Sequence, residues 1–225
     1  MNATARLVFG GFAFLTLIML GLIFLPAGTW NYWQAWVYLA IFLGASVWLT
    51  AYLWRHDPAL LARRSAGGPT AEKDPEQRRI QAFNAMCFLS LILVPALDHR
   101  WGWSQVPAVW VLAGDVLVIA GFAIIYQVYR QNSFASATVE VSEGQRVVST
   151  GVYGVVRHPM YSGGLILIFA TPLALGSWWG LISALFLVIG IVWRISSEER
   201  LLIRDLPGYT AYRETVRFRL IPRIW

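Results

Sequence analysis

Two short runs of the chain carry side chains that can do chemistry together. The first is Arg157-His158-Pro159-Met160-Tyr161-Ser162-Gly163-Gly164. Proline disfavours helix in the residue before it and suits the first turn of a helix that follows. His158 is therefore expected to be extended, with Pro159 opening a helix. That places Arg157 and His158 at a helix N-terminus, where free N–H groups and the dipole favour an anionic group. Gly163 and Gly164 leave room for a ligand or another helix to come close. The same spacing equally fits an arginine anchored at lipid headgroups beside a capping histidine. The second run is Arg194-Ile195-Ser196-Ser197-Glu198-Glu199-Arg200-Leu201-Leu202. Adjacent carboxylates at the end of an apolar span sit unfavourably beside the negative helix terminus. They call for a continuing helix or a cationic partner. Arg194, four residues before Glu198, can pair with it. Alternatively, one of the glutamates holds the ammonium group of a ligand.

The elements that position these runs are membrane spans. Of 225 residues, 57% are hydrophobic and only 13% charged, against about a quarter charged in a soluble domain. Six apolar segments stand out, at 7–25, 33–53, 80–97, 108–129, 161–175 and 179–193. Most approach the ~20 residues that cross a bilayer. The last two are shorter and read as a tight helical hairpin around Gly176, Ser177 and Trp178. The first is longer than the apolar core of a usual signal peptide and has a weak basic flank, so it reads as a span. The fold class expected is all-α, a polytopic transmembrane helical bundle. The chain reads as a single domain over 1–225, with four N-terminal spans in 1–130 and the chemistry in 131–225.

Charge placement gives the spans a direction. Arg6 precedes the first span; Arg55, Arg63, Arg64, Lys73, Arg78 and Arg79 lie between the second and third. Arg130, Arg146 and Arg157 lie between the fourth and fifth, and seven follow the sixth. Of the 18 Lys and Arg residues only Arg100 falls on the opposite side. The positive-inside rule then puts both termini, both long loops and any pocket they form in the cytoplasm. The excess of six positive charges reports topology and contact with anionic lipid rather than nucleic acid. Trp30, Tyr32, Trp33, Trp36, Trp101, Trp103 and Trp110 cluster where aromatic belts are expected. The single cysteine, Cys87, excludes an intrachain disulfide. Neither a metal nor a nucleic acid is expected as a partner; the bilayer is.

The polar segments are less regular. Asp57 can cap a helix with Pro58 at its first position, and Leu60-Leu61 followed by Arg63-Arg64 suit a short helix on the membrane surface, broken by Gly67, Gly68 and Pro69. The loop over 130–157 is irregular, with a turn at Glu143-Gly144 and room for a cofactor against it. After a break at Leu206-Pro207-Gly208, the tail alternates tyrosine and arginine with apolar residues, as a segment folded back on the membrane would.

Together, Gly151-Val152-Tyr153, the Arg157–Gly163 run, Glu198-Glu199 with Leu202, and the tyrosine-rich tail ending in Pro222 resemble the isoprenylcysteine carboxyl methyltransferase family of membrane enzymes. The resemblance spans 145–225. It implies a methyl transfer from S-adenosylmethionine, bound in a cytoplasm-facing pocket, to a lipophilic acceptor arriving from the bilayer, a prenylcysteine-type carboxylate in that family. It implies that Gln145, Arg146, Val147, Val148, Tyr153, His158, Pro159, Met160 and Tyr161 line the cofactor and that Glu198 or Glu199 faces its amino-acid part. The residue types suit this: a glutamate for an ammonium, an aromatic face for a sulfonium. Where the family has an arginine thought to hold the acceptor carboxylate, this chain has Thr215, before Val216. Arg217 and Arg219 lie nearby and are expected to take over.

Two other classes compete. Membrane sterol and steroid reductases that use NADPH share a similar Arg-His-Pro-x-Tyr region, but with Asn after the proline and an acid after the glycine; here stand Met160 and Gly164. A non-enzymatic transporter or scaffold is the third, with Asp115 the one clear acid inside a span. No Gly-x-Gly-x-x-Gly follows a strand, which excludes a soluble Rossmann methyltransferase.

Overall fold

A computed structural model describes residues 3–65, 67, 72 and 74–225, with the side chains of 3–9 left aside. Gly68, Pro69, Lys73 and the side chain of Arg6 thus lie outside the described residues. Among those described the chain is all-α. It runs α1 (Ala3–Ala27), α2 (Trp33–His56), α3 (Pro58–Ser65), α4 (Pro75–Trp101), α5 (Ala108–Gln131), a 3-10 turn (Gly151–Gly154), α6 (Pro159–Ala174), α7 (Gly180–Asp205) and α8 (Tyr209–Thr215). Five helices are long and apolar enough to cross a membrane, the shortest such stretch being the 18 residues Gly10–Ala27. The fifth apolar segment of the sequence is α6, with 16 residues. The helix of the sixth, α7, is longer than its apolar run. It continues to Asp205, so Glu198 and Glu199 lie inside α7 and not at its end.

The described chain divides into two compact units, each built from three segments. The first takes residues 1–50, 86–119 and 167–187. Its core includes Met19, Ile23, Tyr38, Leu91, Ile92, Val111 and Val118. Helices leave four carbonyls unpaired at their C-termini, and here buried hydroxyls meet some of them: Tyr32 donates to the Leu175 carbonyl at 2.5 Å. Asp98 accepts the Ser177 hydroxyl at 2.5 Å and the Ser104 amide at 2.7 Å, which ties the α6–α7 turn to the end of α4. Trp30, Trp33, Trp36, Trp101, Trp103 and Trp110 are exposed, as an aromatic belt requires. Asp115 is buried, with neither carboxylate oxygen hydrogen-bonded.

The second unit takes residues 51–85, 120–166 and 188–225 and carries the polar runs. Asp57 caps α3 through the Leu60 amide, 2.9 Å away. Leu60 and Leu61 are buried in the protein, so α3 is a packed prop, not the surface anchor its sequence suggests. Its arginines explain why: Arg63 donates to the Ser133 carbonyl and Arg64 to the Ser136 carbonyl at 3.0 Å. Both hold the loop that follows α5. Gly163 lets α6 touch α5 backbone to backbone, since a Cβ there would come within 2.9 Å of the Gly121 carbonyl oxygen. Gly208 takes φ +85°, the left-handed region open to glycine, and this turns the chain from α7 into α8.

A candidate ligand pocket and the carboxylate cluster behind it

Within the second unit lies an open pocket lined by polar, aromatic and apolar side chains. Four parts of the chain wall it: the loop after α5, the 3-10 turn, the start of α6, and the α7–α8 corner. The lining residues of α7 are Arg194, Glu198 and Leu202, with Leu206 one position past its end. They recur every four residues, so they form one stripe along the helix. The stripe is charged at Arg194 and Glu198 and apolar at Leu202 and Leu206.

The loop keeps its shape through bonds of its own. Asn132 accepts the Phe134 amide at 2.9 Å and donates to the Tyr153 hydroxyl at 2.8 Å. Gln145 turns back to the Ser142 amide at 2.9 Å. Burial pushes the Tyr153 phenol up to about 12, against the opposing pull of the Asn132 bond. Burial also raises Tyr209 and Tyr212, with nearby Glu199 and Glu198 adding to the rise at Tyr209. At neutral pH these phenols are hydrogen-bond donors and ring faces, not bases. Tyr212 spends its hydroxyl on the Tyr153 carbonyl at 2.7 Å. Tyr209 is only 4% exposed, lines the pocket, and its hydroxyl has no hydrogen-bond partner.

The adjacent glutamates have opposite surroundings. Glu199 is 3% exposed and does not face the pocket. Its Oε1 accepts Arg157 Nε at 2.7 Å and lies 3.2 Å from His158 Nε2; its Oε2 accepts Arg219 Nε at 2.8 Å. Glu198 lines the pocket. Its Oε2 accepts the Tyr161 hydroxyl at 2.7 Å, while its Oε1 stands 4.0 Å from His158 Nδ1, beyond hydrogen-bonding distance. Arg194 does not reach Glu198 directly, as helical spacing suggests. Its Nε donates to the Tyr161 hydroxyl at 2.9 Å, and its Nη2 donates to Glu72 and to the Ala137 carbonyl, both at 2.9 Å. Tyr161 has one proton to give. Since Arg194 donates to its oxygen, that proton goes to Oε2 of Glu198 at the pocket wall.

Of the residues singled out from sequence, Gln145, Arg146, Val147, Val148, Tyr153, His158, Pro159, Met160, Tyr161 and Glu198 converge on this pocket. Glu199, Arg217 and Arg219 are not part of its lining. Arg219 is held by Glu199 and stacks over the Trp225 ring, 5.0 Å from its centroid, and Arg217 is exposed. Thr215 is exposed too, its hydroxyl turned back to the Ala211 carbonyl at 3.0 Å. The Arg157 and His158 amides are not free for an anion: they donate to the carbonyls of Phe218 and Arg219, each at 2.9 Å. The Arg157 guanidinium also clamps the Val216 and Arg217 carbonyls at 3.0 and 2.8 Å. The tail thus packs onto the start of α6, burying Val216 and Leu220. Arg194, read from sequence only as a partner for Glu198, also lines the pocket, as do Asn132 and Tyr209. The four-residue stripe on α7 was the available signal for Arg194; nothing local marks Asn132 or Tyr209.

Residues 109–206, a little under half of the chain, match the family model described as phospholipid methyltransferase. The matched stretch contains most of the pocket wall and stops short of α8. A comparison with curated proteins finds no match. The similarity supports a membrane methyltransferase.

Proposed function

We propose that the chain is a membrane methyltransferase that uses S-adenosylmethionine and methylates a lipophilic acceptor. The observation that carries this reading is Glu198: a carboxyl side chain at the wall of an aromatic-lined pocket, with Oε2 fixed by Tyr161 and Oε1 without a hydrogen bond among the described residues. Such a group selects a cation. The methyl donor carries an ammonium, a carboxylate and a sulfonium, and the pocket has a counterpart for each. Glu198 takes the ammonium. The exposed side chain of Arg146 at the lining suits the carboxylate. The ring faces of Tyr153 and Tyr161 suit the sulfonium. The similarity to a methyltransferase family favours this reading over NADPH-dependent reduction or a non-enzymatic role.

When bound, S-adenosylmethionine supplies a methyl group already activated for displacement. The protein's work is then alignment and exclusion of water, and alignment alone contributes about 7–11 kcal/mol in favourable cases. Glu198, Tyr161 and Arg194 act here as one positioned string, anchored at its far end by Glu72. Val147, Leu202 and Leu206 supply dry surface. The narrower form of the proposal has a prenylcysteine-type carboxylate as acceptor, oriented by an arginine of the pocket wall. The arginine asymmetry of the loops supports a pocket and termini on the cytoplasmic side.

Calorimetric titration of the purified protein in detergent tests this. S-adenosylmethionine and its demethylated product are expected to bind, and NADPH is not. Binding of NADPH alone, or of none of the three, overturns the proposal.

A further inference from the structure

The pocket is polar at one end and aromatic at the other, and this polarity gives a ligand a direction. Glu198 lies on α7 and Leu206 eight residues further, just past the helix end, about 12 Å along its axis. Leu206, Tyr209 and Tyr212 belong to one buried cluster, with Leu202 and Val147 partly buried against it. That end presents flat apolar surface and one unspent polar group, the Tyr209 hydroxyl, which is buried without a partner. A buried hydroxyl left unpaired costs free energy. Its neighbour Tyr212 shows the satisfied alternative, donating to the Tyr153 carbonyl.

Resting on the methyl-donor reading above, we infer that Tyr209 is a ligand-contacting residue that receives the nucleoside end of the cofactor. Its ring and the two leucines form one apolar wall against which the base lies, and its hydroxyl hydrogen-bonds a polar atom of the base or ribose. The amino-acid end lies at Glu198. Tyr209 falls beyond the stretch that matches the methyltransferase family, so the helix that follows α7 contributes to the site as well as closing it. The hydroxyl, unpaired in the ligand-free protein, finds its partner when the nucleoside arrives.

The test uses the full chain in detergent, with S-adenosylhomocysteine and 5′-methylthioadenosine as calorimetric probes; the second keeps the nucleoside and lacks the amino-acid end. Tyr209→Phe removes only an unpartnered hydroxyl and is expected to leave the thermal midpoint unchanged or raised. It is expected to weaken both probes by the same factor, about three- to tenfold, the worth of one neutral hydrogen bond. Glu198→Gln should weaken S-adenosylhomocysteine and leave 5′-methylthioadenosine as it was. Unchanged affinity of Tyr209→Phe for both probes, or a loss confined to S-adenosylhomocysteine, overturns the assignment while leaving the methyl-donor reading intact. Wild-type protein that binds neither probe overturns both.

Discussion

Glu198 and Glu199 are neighbours in sequence and opposites in use. Glu199 is enclosed by Arg157, His158 and Arg219, so all its acceptor capacity goes to holding α7, the start of α6 and the tail together. Glu198 is hydrogen-bonded at one oxygen, by Tyr161, and lines the pocket. A helix turns about 100° per residue, so adjacent side chains point in different directions, here one into the protein and one into the cavity. The difference teaches that charge near a candidate site is not itself evidence of ligand contact. Arg157, Arg219 and Glu199 form a charged cluster beside the pocket, and their charges are paired with one another.

The comparison breaks most readily at Glu199. Glu199→Ala leaves the buried Arg157 without its counter-charge, and unfolding in detergent is expected to show a loss of roughly 3–5 kcal/mol. A variant of near wild-type stability would mean the cluster does not hold the fold. Glu198→Gln should do the reverse: little change in thermal midpoint, and S-adenosylmethionine affinity lower by about 10- to 100-fold, the worth of a charge-assisted hydrogen bond. If the two variants exchange phenotypes, the assignment is inverted. The pH dependence is a smaller effect. Tyr153 has its phenol raised to about 12 in the folded protein, above the ~10 of an unfolded tyrosine. Its contribution to stability is therefore present in full below pH 10 and lost as pH rises from 10 to 12. Tyr153→Phe should flatten that decline in a pH series of thermal midpoints. The smallest change is expected at Thr215→Ala, within ~0.5 kcal/mol, because its hydroxyl serves only its own helix.

Much of this was legible in the residues. The apolar runs marked the spans because helix length and bilayer thickness leave little choice. The Arg157–Gly163 run located the start of α6, since proline suits the first turn of a helix and disfavours helix in the residue before it. The residues from Gln145 to Tyr161 that resemble a family pattern meet at one pocket together with Glu198. What local pattern could not show was pairing at long range. Glu72 lies 122 residues before the arginine it binds, and nothing near either residue marks the other. Spacing of four suggested that Arg194 binds Glu198; the hydroxyl of Tyr161, 33 residues away from Arg194, stands between them. Arg217 and Arg219 suited an acceptor carboxylate by type and proximity in sequence, yet the tail turns Arg219 onto Glu199 and leaves Arg217 in the open. The two carboxylates could be told apart only once the direction of each side chain was known.

Transfer of label from methyl-labelled S-adenosylmethionine into the lipid-extractable fraction of membranes, by wild-type protein and Glu198→Gln side by side, tests the central claim most directly. Wild type should transfer label, and Glu198→Gln should transfer at least about tenfold less at sub-saturating donor while melting at the same temperature. No transfer by the wild type, or equal transfer by the two, would contradict the account.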